Sequence, residues 1–316
     1  MKFRTKVTVP ASPDKIKTED AVFSIGSCFA SEMSALLQKG QLQTLCNPYG
    51  TLFNPYSIQV ALQHLHDCRY YTEEDLIAFD GMYISLDHYS GFNTEYAHQT
   101  LEKINHKIDE GNQFLQKTKW ILITYGTAFR YDFVPKNKPA ANCHKIPQKF
   151  FTKKKLSHEE LLHSMQESIL LLKDICPPDA QILFTVSPVR HLRDGVVENQ
   201  LSKSRLISAI HDAINDLDYC HYLPVYEIMM DDLRDYRFYK EDMIHPTEQA
   251  VQYIFERFGN AWFSDETQAF ISENFKIQQA LHHRPANPKS TQYLDFRSKL
   301  NHRIEQQQKK VKHKIF

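Results

Sequence analysis

The chain has 316 residues, of which 42% are hydrophobic and 24% are charged. This is the composition of an ordinary globular protein, and the length suits one large α/β domain or two small ones. Lys plus Arg equals Asp plus Glu at 38 each, so no overall charge attracts nucleic acid or an anionic membrane. No apolar segment follows the N-terminal residues and no run of eighteen apolar residues occurs, so we expect a protein that is neither exported nor membrane-bound.

The six cysteines lie far apart in the sequence and form no Cys-x-x-Cys pair. This spacing argues against a disulfide framework and against a zinc ribbon. We therefore expect a protein of the reducing cytoplasm, with free thiols and no metal or other cofactor.

The first predicted element is a strand followed by a tight turn and a helix. Residues 21–25 form a short apolar run, Gly26 ends it, and apolar residues then recur at helical spacing up to Gly40. Ser27 and Cys28 directly follow the first glycine. At that place the positive end of a helix dipole stabilises a thiolate or a developing oxyanion, so both are candidate nucleophiles.

Four further apolar runs are typical of buried strands, and the segments between them are largely helical. These runs lie at residues 42–46, 120–125, 181–186 and 222–226. Strand and helix thus alternate, with connections long enough for crossover helices. The pattern predicts an α/β fold, with five parallel strands in a three-layer, doubly wound sheet.

Two segments interrupt this alternation. Residues 57–115 combine helical stretches with a hairpin signal at Asp80 and Gly81, which predicts an inserted lid. Residues 129–156 are irregular and alternate apolar with polar positions, which predicts a hairpin excursion beside the site.

The composition changes near the end of the sheet domain. We predict one α/β domain over residues 1–262 and a helical extension over residues 263–316, with a linker at residues 282–289. The last part of the extension is basic. Its default interpretation is a solvated helix, without contact to nucleic acid or lipid.

A carboxylate and an imidazole follow the fifth predicted strand. Asp242 and His245 are three residues apart in a turn, where Asp242 can fix the tautomer of His245 and stabilise its cation. Loops after parallel strands meet at the carboxyl edge of the sheet, so we expect this pair to lie near Ser27 and Cys28.

These motifs together resemble the SGNH, or GDSL-like, hydrolase superfamily, and within it the GSCFA family. Residues 26–30 spell the Gly-Ser-Cys-Phe-Ala motif of that family. Further similar stretches lie at residues 47–55, 124–128, 142–145, 187–191 and 233–239, followed by the Asp-x-x-His pair. The resemblance spans roughly residues 20–260 and implies a flavodoxin-like SGNH fold.

The resemblance also implies roles for individual residues. It places Ser27 on the aspartate of the Gly-Asp-Ser motif and Cys28 on the nucleophilic serine, and we favour Cys28. The oxyanion-hole glycine corresponds to Gly50, and Gly126 lies in a second glycine turn at the same edge. The superfamily's oxyanion asparagine falls on Ala128, which has no side-chain donor.

Another group must replace that asparagine if the site is catalytic. The candidates for this role are Thr127, Asn54, Asn142 and His144, and we add Arg190 and His191 as substrate-binding candidates. His144 is equally compatible with a structural role.

Three functions remain open at this stage. In the first, Cys28 or Ser27 attacks the acyl group of a small-molecule or carbohydrate ester, for hydrolysis or for transfer to an alcohol. In the second, Cys143, His144, Asp242 and His245 bind a metal. In the third, the protein binds carbohydrate without catalysis. The sequence does not fix the oligomeric state.

Overall fold

The computed structural model describes residues 4–283 and 287–316. The central residues of the predicted linker at 282–289 lie outside the described residues. Among the described helices, none combines the length and the apolar character needed to cross a membrane.

Strands and helices alternate as the sequence predicts. The strands are β1 (Ala21–Gly26), β2 (Thr44–Cys46), β3 (Leu76–Phe79), β4 (Met82–Ser85), β5 (Thr118–Tyr125), β6 (Phe129–Phe133), β7 (Lys138–Ala140), β8 (Phe151–Lys155), β9 (Gln181–Val186) and β10 (Cys220–Tyr222). The helices are α1 (Cys28–Lys39), α2 (Pro55–His66), α3 (Ala97–Leu115), α4 (His158–Ile175), α5 (Val196–Ala213), α6 (Val225–Glu227), α7 (Glu248–Trp262), α8 (Asp265–Leu281) and α9 (Thr291–Gln308).

Five strands form the central sheet in the order β10-β9-β5-β1-β2, and every neighbouring pair is parallel. The prediction of one five-stranded parallel sheet is therefore confirmed. Numbered along the chain, the strand order is 2-1-3-4-5, which is the order of flavodoxin-like folds.

Alternating side chains of the sheet enter two different cores, so helices cover both faces. Phe23 and Ile25 of β1 pack with residues of α2, α3, α4 and α5. Val22 of the same strand packs with residues of α1, α7 and α8. This period of two gives the predicted three layers.

The fifth strand and the last core helix begin at other positions than predicted. The strand ends at Tyr222 rather than continuing to residue 226, because Pro224 has no N–H for the ladder and residues 225–227 turn into α6. Pro246, a residue typical of the first helical turn, predicts a last core helix over residues 246–258, but that helix begins at Glu248, because the side chain of Thr247 accepts the N–H of Ala250 and caps it.

The predicted lid at residues 57–115 contains two kinds of structure. Its helices α2 and α3 belong to the layer that covers the sheet. Its hairpin β3–β4, at the predicted Asp80-Gly81 turn, is antiparallel and packs with a second small sheet, β7-β6-β8. That second sheet is the predicted excursion at residues 129–156.

The C-terminal extension packs against the sheet domain. Phe270 and Ile271 of α8 enter the same core as α1. Helix α9 is mostly exposed, but Val311 and Ile315 after it are buried in that core as well. The C-terminal end of the basic segment is therefore anchored in the core, which the prediction of a solvated helix did not include.

We expect Gly26→Ala to lower the free energy of unfolding by more than about 3 kcal/mol. Gly26 has a φ of +143°, and an added Cβ would lie 2.2 Å from the carbonyl oxygen of Thr124. Urea unfolding followed by circular dichroism measures this loss. The control is Gly81→Ala, where φ is +71° and no atom lies within 4 Å of the added Cβ, so about 1 kcal/mol is expected. Equal losses for both variants would contradict the role of close packing at Gly26.

Candidate functional site

The turn at Gly26 places two nucleophilic side chains at the start of α1. Asn47 fixes the turn, because its Oδ1 accepts the Gly26 N–H at 2.8 Å while its amide donates to Ser31 at 2.8 Å. Ser27 is the N-cap residue and is buried, whereas Cys28 is the first helical residue and is half-buried.

A cavity of about 290 Å³ opens beside these two residues. Residues after β1, β5 and β9 form its floor, so it lies at the carboxyl edge of the sheet, as predicted. Its lining consists of Ser27, Cys28, Phe53, Asn54, Gly126, Thr127, Phe129, Tyr131, Ala140, Ala141, Asn142, Cys143, Gln148, Ser187, Val189, Arg190, His191 and Arg193. The second small sheet and the segment after β7 supply the outer wall.

The surroundings of the Cys28 thiol act on its pKa in opposite directions. Burial raises the pKa, whereas hydrogen bonds from the backbone N–H groups of Phe29 and Cys28 and the positive charge of Lys203 lower it. Burial has the larger effect, so the pKa is raised overall. The sequence-based expectation of a lowered pKa is thus not met in this state.

The side chain of Ser27 lies in a closed environment. It is 1% exposed, and its Oγ has no hydrogen-bond partner among the described residues. Cys28 lines the cavity and is half-buried, so it is the more accessible of the two side chains.

Asp242 and His245 form the predicted hydrogen-bonded pair. His245 Nδ1 lies 2.7 Å from one Asp242 oxygen, and the other oxygen accepts the N–H groups of Ile244 and His245. These hydrogen bonds lower the pKa of Asp242 to about 2, and the bond from the N–H of His245 has the largest effect. The carboxylate therefore stays charged at neutral pH and leaves Nε2 of His245 free to accept a proton.

The loop that carries this pair is attached to the cavity wall, but the pair itself does not line the cavity. Arg190 of the lining donates its N–H to Ile244 and its guanidinium to the carbonyl of Met243. Within the described part of the chain, no hydrogen bond joins His245 to Cys28. Lys240 of the same loop lies 3.9 Å from Glu32 of α1, so the loop borders the helix that carries Cys28.

The two glycines predicted at the carboxyl edge have different surroundings. Gly50 donates its N–H to Asn47 within a turn and is absent from the cavity lining, so its N–H is not offered to a substrate as predicted. Gly126 does line the cavity. Its N–H is bonded to Phe53, and a Cβ at Gly126 would lie 3.2 Å from the Phe53 ring, so Gly126 contributes space rather than a donor.

Three of the four candidate replacements for the missing asparagine line the cavity. The hydroxyl of Thr127 is engaged with Ser202 and with the N–H of Phe129. Asn54 uses its Oδ1 to cap α2, and Asn142 uses its Oδ1 for the N–H of His144. Among the described residues no acceptor takes the side-chain amides of Asn54 and Asn142, so these two remain available as donors.

The histidine candidates differ in position. His144 is bonded to the carbonyl of Ser85 at 2.7 Å and to Asn93, and it does not line the cavity. His191 does line the cavity, and burial lowers its pKa.

The metal hypothesis finds no support in the geometry. In residues 4–283 and 287–316, no group of three or more His, Cys, Asp or Glu side chains is arranged to hold a metal ion. Of the proposed ligands, His144 is already engaged with Ser85.

Comparison with known proteins gives one specific match. The model of the GSCFA family matches residues 21–258. The chain belongs to the GSCFA family. No curated protein matches it. Among solved structures it is similar to a DUF4886 family protein from Bacteroides uniformis ATCC 8492, with 11% identity, coverage of 84% of this chain and 97% of that one, and a TM-score of 0.39. A likeness this distant adds no argument.

Five of the six stretches by which the sequence resembles the GSCFA family meet around one cavity, whereas residues 233–239 and the Asp242–His245 pair do not line it. Its lining takes residues from the stretches at 26–30, 47–55, 124–128, 142–145 and 187–191. Residues far apart in the sequence thus build one pocket, which marks it as the candidate site of this GSCFA protein.

Lys203 is the main site residue that sequence reasoning missed. It lies on α5, is 1% exposed, and donates from Nζ to the carbonyls of Gly126 at 2.7 Å and Ser187 at 2.8 Å. The sequence does contain one indication that Lys203 is buried: at helical spacing it falls on the apolar face of α5, together with Leu206 and Ile210. The sequence analysis also missed the aromatic wall of Phe53, Phe129 and Tyr131.

A second, more polar cavity of about 200 Å³ shares Ala141 with the first. Its lining is Tyr49, Tyr56, Ser57, Val60, Ala61, His64, Arg69, Asp75, Asp87, Lys138, Pro139 and Ala141. Asp87 accepts hydrogen bonds from Lys138 at 3.0 Å and Tyr71 at 3.1 Å, and the buried Tyr49 hydroxyl has no partner among the described residues. The cavity therefore brings hydrogen-bond donors and an acceptor together, while the Tyr49 ring beside them is fully buried and stacked on His88.

Proposed function

We propose that this GSCFA protein is an SGNH-type acyl-ester hydrolase or acyltransferase. Cys28 attacks the acyl carbonyl, His245 accepts and returns the proton, and Asp242 orients the histidine. Whether water or an alcohol then takes the acyl group from the enzyme decides between hydrolysis and transfer.

The observation that carries this proposal is the position of Cys28. It is the first residue of α1, where the backbone N–H groups have no partner within the helix, and it lines a cavity large enough for a small acyl group. Backbone N–H groups at a helix start stabilise the negative charge that develops during acyl transfer. The raised pKa of the thiol means that a base must act, and His245 is the base that the sequence motif supplies.

We expect Asn54→Asp to lower kcat by about a hundredfold if Asn54 replaces the missing oxyanion asparagine. Aspartate preserves the acceptor that caps α2 at 2.9 Å but removes the amide donor that lines the cavity. Steady-state kinetics together with the melting temperature measure the two effects separately. An unchanged kcat in Asn54→Asp would exclude this role, and the same substitution at Asn142 then tests the other free amide.

The substrate that we propose is an O-acylated carbohydrate. The second cavity supports this choice, because its polar groups beside the half-buried Tyr56 suit the hydroxyl groups and the apolar ring face of a sugar. It adjoins the reactive cavity through Ala141. A second sugar unit, next to the acylated one, would fit this arrangement.

We also propose that the reaction takes place in the reducing cytoplasm, because all six cysteines are free thiols.

A non-catalytic carbohydrate-binding protein is the second candidate. The separation of His245 from Cys28 and the alanine at position 128 favour it over the metal enzyme. Purified protein assayed against short-chain acyl esters, acetylated oligosaccharides and acyl-CoA separates the two. Turnover that depends on Cys28 supports the enzyme. Sugar binding without turnover of any of these acyl donors supports the binding protein.

A further inference from the structure

Lys203 is placed directly behind the floor of the reactive cavity. The two carbonyl groups that accept its Nζ hydrogen bonds belong to Gly126 and Ser187, and both residues line the cavity together with Cys28. These residues follow β5 and β9, while Cys28 follows β1. Three neighbouring strands of the sheet therefore bring the ammonium group and the thiol to one edge.

The ammonium of Lys203 has no carboxylate partner. No Asp or Glu lies within ion-pair distance of it in the described ranges 4–283 and 287–316. A fully buried ammonium costs considerable free energy unless a charge compensates it, and two neutral carbonyls do so only in part. Burial lowers the pKa of Lys203 to about 7, so where Lys203 is protonated it places a positive charge without an acidic partner at the sheet edge that carries Cys28.

We propose that Lys203 is a positioning residue for the Cys28 nucleophile: its buried ammonium is the counter-ion of the Cys28 thiolate. This inference rests on the proposed function only in taking Cys28 as the reacting group. When the thiol loses its proton to a base, the new negative charge faces the ammonium. The two hydrogen bonds to Gly126 and Ser187 hold that ammonium in place throughout.

Charge effects at both groups agree with this geometry. The Lys203 charge lowers the pKa of Cys28, and a Cys28 thiolate raises the pKa of Lys203, which burial otherwise lowers to about 7. Glu32 on α1 opposes the effect by raising the pKa of Cys28. The other charged or titratable groups of the cavity wall are Arg190, His191, Arg193 and Cys143, and His245 lies on the adjoining loop.

The test is the pH dependence of Cys28 alkylation by iodoacetamide, followed by peptide mass spectrometry. Two variants remove the charge: Lys203→Met, and Lys203→Gln, which keeps an N–H donor for the carbonyls. In both we expect the labelling rate at about pH 6–7, where Lys203 still carries its charge, to fall about five- to tenfold, and the rate above about pH 9, where Lys203 is neutral in wild type as well, to stay the same. Lys173→Met is the matched control, because Lys173 also donates to a carbonyl, that of Pro178, but just before β9 at the opposite edge.

A second measurement does not depend on the folding of a Lys203 variant. In protein with ¹³C at lysine Cε, the resonance that titrates far below the surface lysines belongs to Lys203. Coupling is reciprocal, so a negative charge at position 28 should raise this midpoint, and we expect it to be about one pH unit higher in Cys28→Asp than in the matched variant Cys28→Asn. An unchanged Cys28 labelling profile in folded Lys203→Gln, or equal Lys203 midpoints in Cys28→Asp and Cys28→Asn, would overturn the inference. A shifted profile in a protein without acyl turnover would support this pair and reject the proposed function.

Discussion

Replacing Cys28 with alanine is expected to lower acyl-ester turnover by on the order of a thousandfold or more. The thiol is the accessible nucleophile of the cavity, and the first N–H groups of α1 are directed at it. Alanine removes the sulfur but keeps the helix start, so the fold should remain. Steady-state rates at substrate saturation, with a thermal melt of each protein, measure the effect.

Ser27→Ala is the matched control for this prediction. Its hydroxyl is buried and unpartnered among the described residues, so its removal breaks no hydrogen bond and should leave the rate nearly unchanged. The opposite pattern, with activity surviving Cys28→Ala and lost in Ser27→Ala, would assign the nucleophile to the serine.

Replacing His245 with alanine is expected to lower kcat by about 100- to 10,000-fold, the usual contribution of a general base. The thiol has a raised pKa, so little thiolate is present at neutral pH without a proton acceptor. Asp242→Asn should also reduce kcat, because asparagine keeps an acceptor for the two backbone N–H groups but loses the charge that stabilises the imidazolium.

The control for this prediction is His163→Ala, at an exposed histidine of α4 outside the cavity lining. It should leave kcat unchanged. Since His245 does not touch Cys28 in this structure, the experiment also tests whether its loop closes during the reaction. A kcat that is the same in His245→Ala and His163→Ala would show that another group takes the proton.

The sheet was predictable because its strands carry strong local signals. The strand at residues 181–186 is an apolar run with the predicted bounds, and the turn after β1 is marked by a glycine that no other residue can replace without a clash. The fifth strand was misplaced because residues 223–226 are as apolar as a strand. Only Pro224 in their midst signals the end of the ladder.

The candidate site was predictable where residues are neighbours in sequence. The pair of Asp242 and His245 follows from a three-residue spacing within one turn. The distance of that turn from Cys28 depends on the packing of several loops, which no local pattern records. Lys203 was missed for the same reason, because only the folded structure shows that its helix points an ammonium at two strand ends.

The central claim is that Cys28 carries the acyl group during turnover, and intact-protein mass spectrometry tests it most directly. Protein mixed with an activated acyl ester and quenched in acid within seconds should gain the mass of one acyl group. Peptide mapping should place that group on Cys28, and hydroxylamine at neutral pH should release it, as expected of a thioester. An acyl group found on Ser27 would contradict the account. So would turnover of the ester during which no acylated protein forms, either in the wild type or in His245→Ala.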